Sequence, residues 1–292
     1  MRILSIQSQV VFGHVGNSAV IYPLQRLGHE VWAVPTAILS NHAGYPDMGG
    51  RAVMPEEVKD LLEGLQRRGA FARCDLVVTG YLSRAETVAV ATDAIAQLRA
   101  ANPDLVYCCD PVMGDREPGL YVDAALPEHL RTHALPVSDV ATPNLFELEL
   151  LCGLEPDALH GRDARLIADA ARQTLETMRP GASCLVTSAV HRALDSRMAA
   201  AMAVDGEAAW IVEMPELAFD AAPHGAGDLV GALFAAALAE HGQLRRALEK
   251  SVAIVFAILD ESRRRGSSEL ELVAAGDAIV APAQQFTARL IT

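Results

Sequence analysis

The chain has 292 residues, of which 51% are hydrophobic, so it is long enough to bury a sizeable core. Its 24 basic and 37 acidic side chains give a net charge of −13, which argues against nucleic acid or an anionic membrane as a partner. The five cysteines form no Cys-x-x-Cys pair, so neither a disulfide framework nor a structural zinc site is expected. The chain opens without a signal-peptide pattern, and no apolar run is long enough to span a bilayer, so we expect a cytoplasmic protein.

Short β-rich apolar runs alternate with longer amphipathic segments along most of the chain. The predicted strands lie at residues 3–6, 31–34, 76–79, 105–109, 140–142 and 184–187. The predicted helices lie at 15–27, 55–69, 84–100, 127–134, 145–152 and 163–178. This alternation predicts a parallel sheet that is covered by helices on both faces.

The last third of the chain has a different order of elements. Residues 198–204 and 208–212 flank a short polar turn and predict an antiparallel hairpin at one edge of the sheet. Three helical stretches then follow, at 228–240, 244–265 and 269–280. Because there is no repeat, low-complexity linker or sharp change of composition, we expect one domain over residues 1–292.

The strongest chemical signal is Gly225-Ala226-Gly227-Asp228, which directly precedes an apolar helical run. The free N–H groups at a helix N-terminus, together with the helix dipole, form an anion site. An ionised Asp228 beside bound phosphate would supply the base that a small-molecule kinase needs. Taken alone, the motif is equally compatible with an aspartate that only caps the helix.

Asp110 follows the fourth predicted strand in the segment Asp110-Pro111-Val112-Met113-Gly114-Asp115. The proline forces Asp110 into an extended conformation, which directs its carboxylate away from the strand end. Two acids near a polyphosphate suit Mg²⁺, which binds few carboxylates and keeps water and phosphate oxygens. The alternative is that Asp110 only accepts hydrogen bonds from loop amides.

Asn144 and Glu147 follow the fifth predicted strand at the spacing of a capping box. Residues three apart share a helix face, so this pair could also organise a hydrated metal at the strand end. By itself the capping interpretation is the stronger, and beside Asp110 the two become comparable.

The sequence argues against a Rossmann dinucleotide-binding enzyme, a P-loop enzyme and a hydrolase. The segment after the first strand, residues 13–18, does not match Gly-x-Gly-x-x-Gly, and no P-loop motif occurs in the chain. His14 and His42 are ambiguous, because a lone loop histidine more often makes a structural hydrogen bond than catalyses a reaction. Neither histidine has a serine or cysteine nucleophile motif beside it, which argues against a hydrolase.

Taken together, the motifs resemble those of pyridoxal kinases. The matching segments are 8–18, 23–28, 40–42, 80–82, 109–115, 142–147 and 225–228, in the order and at the approximate spacing of that family. The resemblance runs from the first strand to about Leu238. It implies a ribokinase-like α/β/α fold of three layers, with a mostly parallel sheet and an antiparallel edge hairpin. It also implies a homodimer that transfers the γ-phosphoryl group of ATP to the 5′-hydroxymethyl group of pyridoxal.

The resemblance assigns roles to residues by matching position. The vitamin pocket would be formed by Ser8, His42, Ala43, Gly44, Tyr81 and Asp228. ATP would be bound by Asp110, Thr142, Asn144, Glu147, Thr187 and Ser188. Asp110 and Glu147 would hold the Mg²⁺ of Mg-ATP through water, and the resemblance leaves open whether a monovalent cation such as K⁺ assists. Asp228 would be the catalytic base, and Gly225, Ala226 and Gly227 would form the anion hole.

Four positions depart from the family pattern. Ala43 replaces a threonine that is frequent in the loop over the vitamin ring, and Ala226 stands where threonine or valine is common. Thr187 stands where one subgroup has lysine, and His224 belongs to an unusual segment before the glycine turn. These changes leave the reaction type intact and bear on substrate preference and efficiency.

Two alternative functions remain open from the sequence. A hydroxymethylpyrimidine kinase shares the fold, although such enzymes commonly carry cysteine where this chain has Asp228. A non-catalytic protein that binds pyridoxal or its phosphate is the alternative from another class. The presence of Asp110, Glu147, Gly227 and Asp228 together argues against such a loss of activity.

Overall fold

The computed structural model describes residues 1–292, whose backbone is organised around one large sheet. The strands are β1 (Arg2–Val10), β2 (Glu30–Leu39), β3 (Gly50–Ala52), β4 (Leu76–Thr79), β5 (Val106–Cys109), β6 (Gly114–Asp115), β7 (Gly119–Leu120), β8 (Val140–Ala141), β9 (Ser183–Val186), β10 (Met198–Val204), β11 (Ala209–Pro215) and β12 (Arg289–Leu290). The α-helices are α1 (Asn17–Arg26), α2 (Pro55–Arg67), α3 (Ala85–Ala101), α4 (Leu126–His129), α5 (Leu145–Leu151), α6 (Ala164–Leu175), α7 (Ala226–His241), α8 (Leu244–Arg265) and α9 (Gly276–Val280).

Ten strands form a single sheet in the order β12-β11-β10-β9-β8-β5-β4-β1-β2-β3. The six central strands, from β9 to β2, run parallel, and antiparallel strands extend both edges. From β1 the chain moves first to β2 on one side and later to β4 on the other, so the strand order reverses at β1. In open α/β sheets, ligands bind beyond the carboxyl ends of the strands at such a reversal.

Helices cover both faces of the sheet. Helices α2 to α6 pack on one face, while α1, α7, α8 and α9 pack on the other. Side chains alternate along β1, so that Ile3 lies in one core layer and Leu4 and Ile6 lie in the other. These observations confirm the predicted three-layer α/β/α fold with its antiparallel β10–β11 hairpin. None of the helices combines the length and apolar character needed to cross a membrane.

The predicted helix at 269–280 is wrong over its first half. Only Gly276–Val280 is helical, and residues 272–275 form turns. Leu270 and Leu272 are both buried, and the Leu272 N–H donates to the carbonyl oxygen of Leu270 at 2.9 Å, which closes a three-residue turn instead of a helical one. Glu269 precedes this turn, and its carboxylate contacts the loops that follow β1 and β2.

Smaller differences concern element length. The strand predicted at 31–34 continues to Leu39, because it gains the short antiparallel neighbour β3. The helix predicted at 127–134 is α-helical only over Leu126–His129 and continues as a π-helical turn over Leu130–Ala134. The two-stranded β6–β7 ribbon and the edge strand β12 were not predicted, because two-residue strands carry no periodic signal.

Candidate active site

The turn into α7 depends on Gly225. This residue has a left-handed backbone, with φ of 90°, and a Cβ built on it would lie 1.9 Å from the carbonyl oxygen of His14. Only glycine combines that conformation with such a close approach. The turn therefore packs directly on the loop after β1, which places the free N–H groups at the start of α7 beside that loop.

Asp228 lies in the first turn of α7 and is held by the same loop. Its Oδ2 accepts a hydrogen bond of 2.9 Å from the backbone N–H of Gly16, while its Oδ1 accepts none within the protein. Gly16 has φ of 54°, and a Cβ built on it would lie 2.4 Å from the carbonyl oxygen of Ser8. One carboxylate oxygen is thus fixed by the backbone, and the other is available to an incoming hydroxyl group.

Glu147 and Asn144 form the predicted capping box at the start of α5. The Glu147 N–H donates to Asn144 Oδ1, and the Asn144 N–H donates to Glu147 Oε2, each at 2.8 Å. In addition, Glu147 Oε1 accepts from the N–H of Met113 at 2.9 Å, and Asn144 Nδ2 donates to the carbonyl oxygen of Gly114 at 2.8 Å. The pair therefore caps the helix and also fixes the loop that follows Asp110.

The three carboxylates at the strand ends influence one another electrostatically. Burial and the charges of Glu147 and Asp228 raise the pKa of Asp110 well above its usual range. Burial raises the pKa of Glu147 to about 8, although the backbone N–H donors oppose the shift. Burial also raises the pKa of Asp228, against the opposing effect of the Gly16 N–H. No basic side chain stabilises the ionised forms of these three acids. The site therefore favours a bound cation, such as a metal ion that enters together with a polyphosphate.

Thr142, Thr187 and Ser188 lie on the α5 side of these acids. The buried Thr142 Oγ1 has no hydrogen-bond partner and lies close to Gly231 of α7. Thr187 forms an isolated parallel β-bridge with Asn144, and its N–H donates to the carbonyl oxygen of Pro143 at 2.9 Å. Ser188 has a left-handed backbone, with φ of 51°, which is uncommon for a residue with a side chain and typical of functional loops.

The residues predicted for the vitamin pocket lie near the end of β1 and in the segments that follow β2 and β4. His42 is buried, and its ring centroid lies 4.3 Å from that of His224, next to the glycine turn. Ala43 and Gly44 are exposed at the tip of the same loop. Ser8 is buried at the end of β1, and Tyr81 follows β4, where burial raises the pKa of its phenol.

Contacts and electrostatics link some of the predicted site residues to one another. Asp110, Glu147 and Asp228 influence one another electrostatically, and Asn144 and Thr187 adjoin them. The loop of His42 does not contact the acids; it reaches the α7 turn through the ring of His224. The Tyr81 phenol makes no hydrogen bond to any other predicted site residue.

Sequence reasoning missed Glu269. Its carboxylate accepts hydrogen bonds from the loop after β1 and from the loop after β2, and it is separated from them by 224 to 255 residues. No local pattern could have signalled this role, since Glu269 stands in a stretch that was predicted as an ordinary amphipathic helix. The Gly16 N–H that orients Asp228 was also not singled out.

This arrangement suits phosphoryl transfer to an alcohol. A carboxylate with one free oxygen can orient a hydroxyl group and accept its proton, and helix N-terminal amides can stabilise charge on transferring oxygens. The unpaired acids nearby match the needs of a metal–polyphosphate complex.

Comparisons with known proteins agree with this chemistry. The phosphomethylpyrimidine kinase family model matches residues 30–272. Pyridoxal kinase PdxY of Deinococcus radiodurans is 41% identical over 99% of this chain and 96% of its own length. The pyridoxal kinase PdxY of Rubrobacter xylanophilus is 41% identical over 100% of this chain and 98% of its own length.

Solved structures extend the likeness to three dimensions. Pyridoxal kinase from Leishmania donovani, in complex with ADP and ginkgotoxin, superposes with a TM-score of 0.89 at 28% identity, covering 100% of this chain and 99% of that one. The pyridoxal kinase of Trypanosoma brucei gives a TM-score of 0.83 at 25% identity, with 99% of each chain covered. Matches over nearly the whole length, at these identities, leave one conclusion. The chain belongs to the phosphomethylpyrimidine kinase family, and over nearly its whole length it is similar to pyridoxal kinases.

Proposed function

We propose that this protein transfers the γ-phosphoryl group of ATP to the 5′-hydroxymethyl group of pyridoxal, a reaction of vitamin B6 salvage. The observation that carries the proposal is the Asp228 carboxylate, fixed through one oxygen by the Gly16 N–H and free at the other, at the N-terminus of α7. The curated relatives supply the substrate, since they are named pyridoxal kinases at about 40% identity over the full chain.

In this proposal the Asp228 side chain and the backbone amides of the α7 turn have different tasks. A primary alcohol is far less acidic than a carboxylic acid, so Asp228 orients the hydroxyl group and takes its proton late in a loose transition state. The amides of Gly225, Ala226 and Gly227 stabilise charge on the transferring oxygens. Because backbone amides do this work, alanine at position 226 is a mild departure from the family pattern.

In the proposal, one set of residues binds pyridoxal and another binds ATP. Pyridoxal is bound by Ser8, His42, Ala43, Gly44 and Tyr81, with Asp228 at its hydroxymethyl group. ATP is bound by Asp110, Thr142, Asn144, Glu147, Thr187 and Ser188. Support comes from the carboxyl-end position of these loops and from ADP-bound structures of related kinases.

The residues fit Mg²⁺ that is carried by the nucleotide. Asp110 and Glu147 are buried acids with no basic partner, and the buried Thr142 hydroxyl has no hydrogen-bond partner. The acids do not form a three-ligand cluster of their own, which suits a metal that keeps phosphate oxygens and water. Bound there, the metal supplies charge neutralisation for the phosphates. A requirement for K⁺ is a separate question for assay.

The first experiment is an assay of the purified protein with Mg-ATP and pyridoxal, pyridoxine, pyridoxamine or hydroxymethylpyrimidine, following ADP release and the phosphorylated product. Turnover that depends on pyridoxal supports the proposal. Turnover with hydroxymethylpyrimidine alone would instead assign the hydroxymethylpyrimidine kinase activity. Tight binding of pyridoxal without ADP formation would instead support the non-catalytic alternative, for which the departures at Ala43 and His224 leave room.

The raised pKa of Glu147 predicts how stability depends on pH without ligand. The folded protein holds this proton to about pH 8 and the unfolded chain only to about 4.5, so the folded state binds more protons between these values. The stabilisation is complete below the unfolded-state pKa and is lost as pH rises toward 8. Glutamine does not titrate, so the melting temperature of Glu147→Gln should rise relative to that of the wild type as the pH increases from 5 to 8.

Thermal melts at several pH values, without nucleotide or divalent metal, check this expectation. Asp110→Asn is the matched variant, because burial also raises the pKa of Asp110, so both variants should show the same sign. A difference between Glu147→Gln and wild type that stays constant over this range would show that Glu147 is ionised throughout.

The organisation of the whole chain remains part of the proposal. We place residues 1–292 in a single kinase domain of a cytoplasmic enzyme that forms a homodimer. Exposed apolar side chains near the β2–β3 edge, including Val11, Phe12 and Met48, are consistent with an interface there. Light scattering of the eluting protein should give twice the chain mass, and a monomer mass would refute the dimer.

A further inference from the structure

The carboxylate of Glu269 joins two loops that are distant from it in sequence. It lies after α8, and its side chain is 13% exposed. Its Oε2 accepts the backbone N–H of His14 at 3.1 Å, and its Oε1 accepts from His42 Nε2 at 3.0 Å and from the Tyr45 hydroxyl at 2.7 Å. Three donors from two loops thus converge on one side chain.

The first of these loops, residues 11–16, is the one that orients Asp228. Gly13 makes room for the carboxylate, because a Cβ built on it would lie 2.5 Å from Glu269 Oε2. Two residues beyond His14, the Gly16 N–H donates to Asp228. Glu269 and Asp228 therefore contact the same loop, at backbone N–H groups two residues apart.

The second loop, residues 40–45, is fixed through the ring of His42. The Gly44 N–H donates to His42 Nδ1 at 3.1 Å, so that nitrogen is an acceptor and the ring proton lies on Nε2. Nε2 then donates to Glu269 Oε1. Tyr45 stacks near the same ring, with centroids 4.7 Å apart, and adds its own hydrogen bond to the carboxylate. The Gly44 N–H and Glu269 together hold the ring orientation and the tautomer.

We propose that Glu269 is a positioning residue, which holds loops 11–16 and 40–45 in the arrangement that binds the vitamin ring. The proposal rests on the proposed function for the identity of the acceptor. Glu269 does not touch the reacting atoms, and Asp228 keeps its own hydrogen bond from the Gly16 N–H when Glu269 is changed. Glu269 should therefore govern the affinity for pyridoxal more than the rate of transfer. An ionised carboxylate is required, because a glutamine has one acceptor oxygen and would turn an amide donor toward one of the three donors.

Glu269→Gln tests the proposal, with Glu271→Gln as the matched control, since the Glu271 side chain makes no hydrogen bond to either loop. We expect the KM for pyridoxal to rise about ten-fold in Glu269→Gln, since hydrogen bonds to a charged group are lost. The kcat should stay within about three-fold, the KM for ATP should be unchanged, and the control should behave as wild type. Tyr45→Phe alone should raise the KM for pyridoxal by less than Glu269→Gln does. In the double variant, Tyr45→Phe should add little to the KM of Glu269→Gln, because both changes remove the same interaction.

Hydrogen exchange of the ligand-free protein gives a readout that does not depend on activity. The amides of His14 and Gly44 should exchange faster in Glu269→Gln than in wild type or Glu271→Gln. Unchanged exchange in both loops, or a fall in kcat without a rise in KM, would overturn the proposal. If Glu269→Gln does not fold, Tyr45→Phe carries the same two measurements. A wild-type protein without pyridoxal turnover would refute the proposed function, and exchange alone would then decide whether Glu269 holds the loops.

Discussion

Replacing Asp228 by asparagine is expected to lower the kcat for pyridoxal phosphorylation by about a thousand-fold, which is the scale of a lost general base. The asparagine Oδ1 can still accept the Gly16 N–H, so the turn should keep its geometry. Substrate affinities should therefore change little, because the amide is nearly isosteric with the carboxylate. The measurement is steady-state kinetics with Mg-ATP, together with direct titration of ATP binding.

Stability provides the internal control for this variant. Burial raises the pKa of Asp228, so removal of its charge should not lower the melting temperature at neutral pH. A loss of activity in a well-folded variant that binds ATP is then a loss of chemistry. Near-normal turnover of Asp228→Asn with intact ATP binding would show that another group accepts the proton.

The second large effect is expected for Gly225→Ala. The new Cβ would meet the His14 carbonyl oxygen at 1.9 Å, and a φ of 90° is strained for any residue with a side chain. Backbone strain and overpacking each cost about 1–3 kcal/mol, so we expect a loss of roughly 3 kcal/mol in the free energy of unfolding. Activity should fall with it, because the amides of the turn move away from the loop after β1.

Gly227→Ala is the matched control for that experiment. A Cβ on Gly227 would meet no heavy atom within 4 Å, and alanine is the better helix former. Chemical denaturation should therefore place Gly227→Ala at or slightly above the wild type, with Gly225→Ala well below both. Equal stability of the two alanine variants would contradict the close packing of Gly225 on the His14 carbonyl.

The sequence was a good guide wherever local patterns decide the structure. Alternating β-rich runs and amphipathic stretches predicted the layers, and the spacing of Asn144 and Glu147 predicted a capping box whose two hydrogen bonds are both present. The prediction of a helix over 269–280 was wrong before Gly276, because leucine spacing alone does not separate a helix from a turn with two buried leucines. The functional roles of the predicted site residues stay predictions until the variants are measured.

By itself, the sequence determined which chemical groups this protein has and the order in which strands carry them to one edge of the sheet. Glycine at 225, an acid at 228 and a proline after Asp110 are local choices with local consequences. Only the tertiary structure decided which groups meet: the Gly16 N–H with Asp228, and Glu269 with His14, His42 and Tyr45. These contacts join residues more than 200 positions apart, and they form because the reversal of strand order at β1 brings distant loops into one crevice. Hydrogen bonds of that kind leave no periodic trace in the sequence.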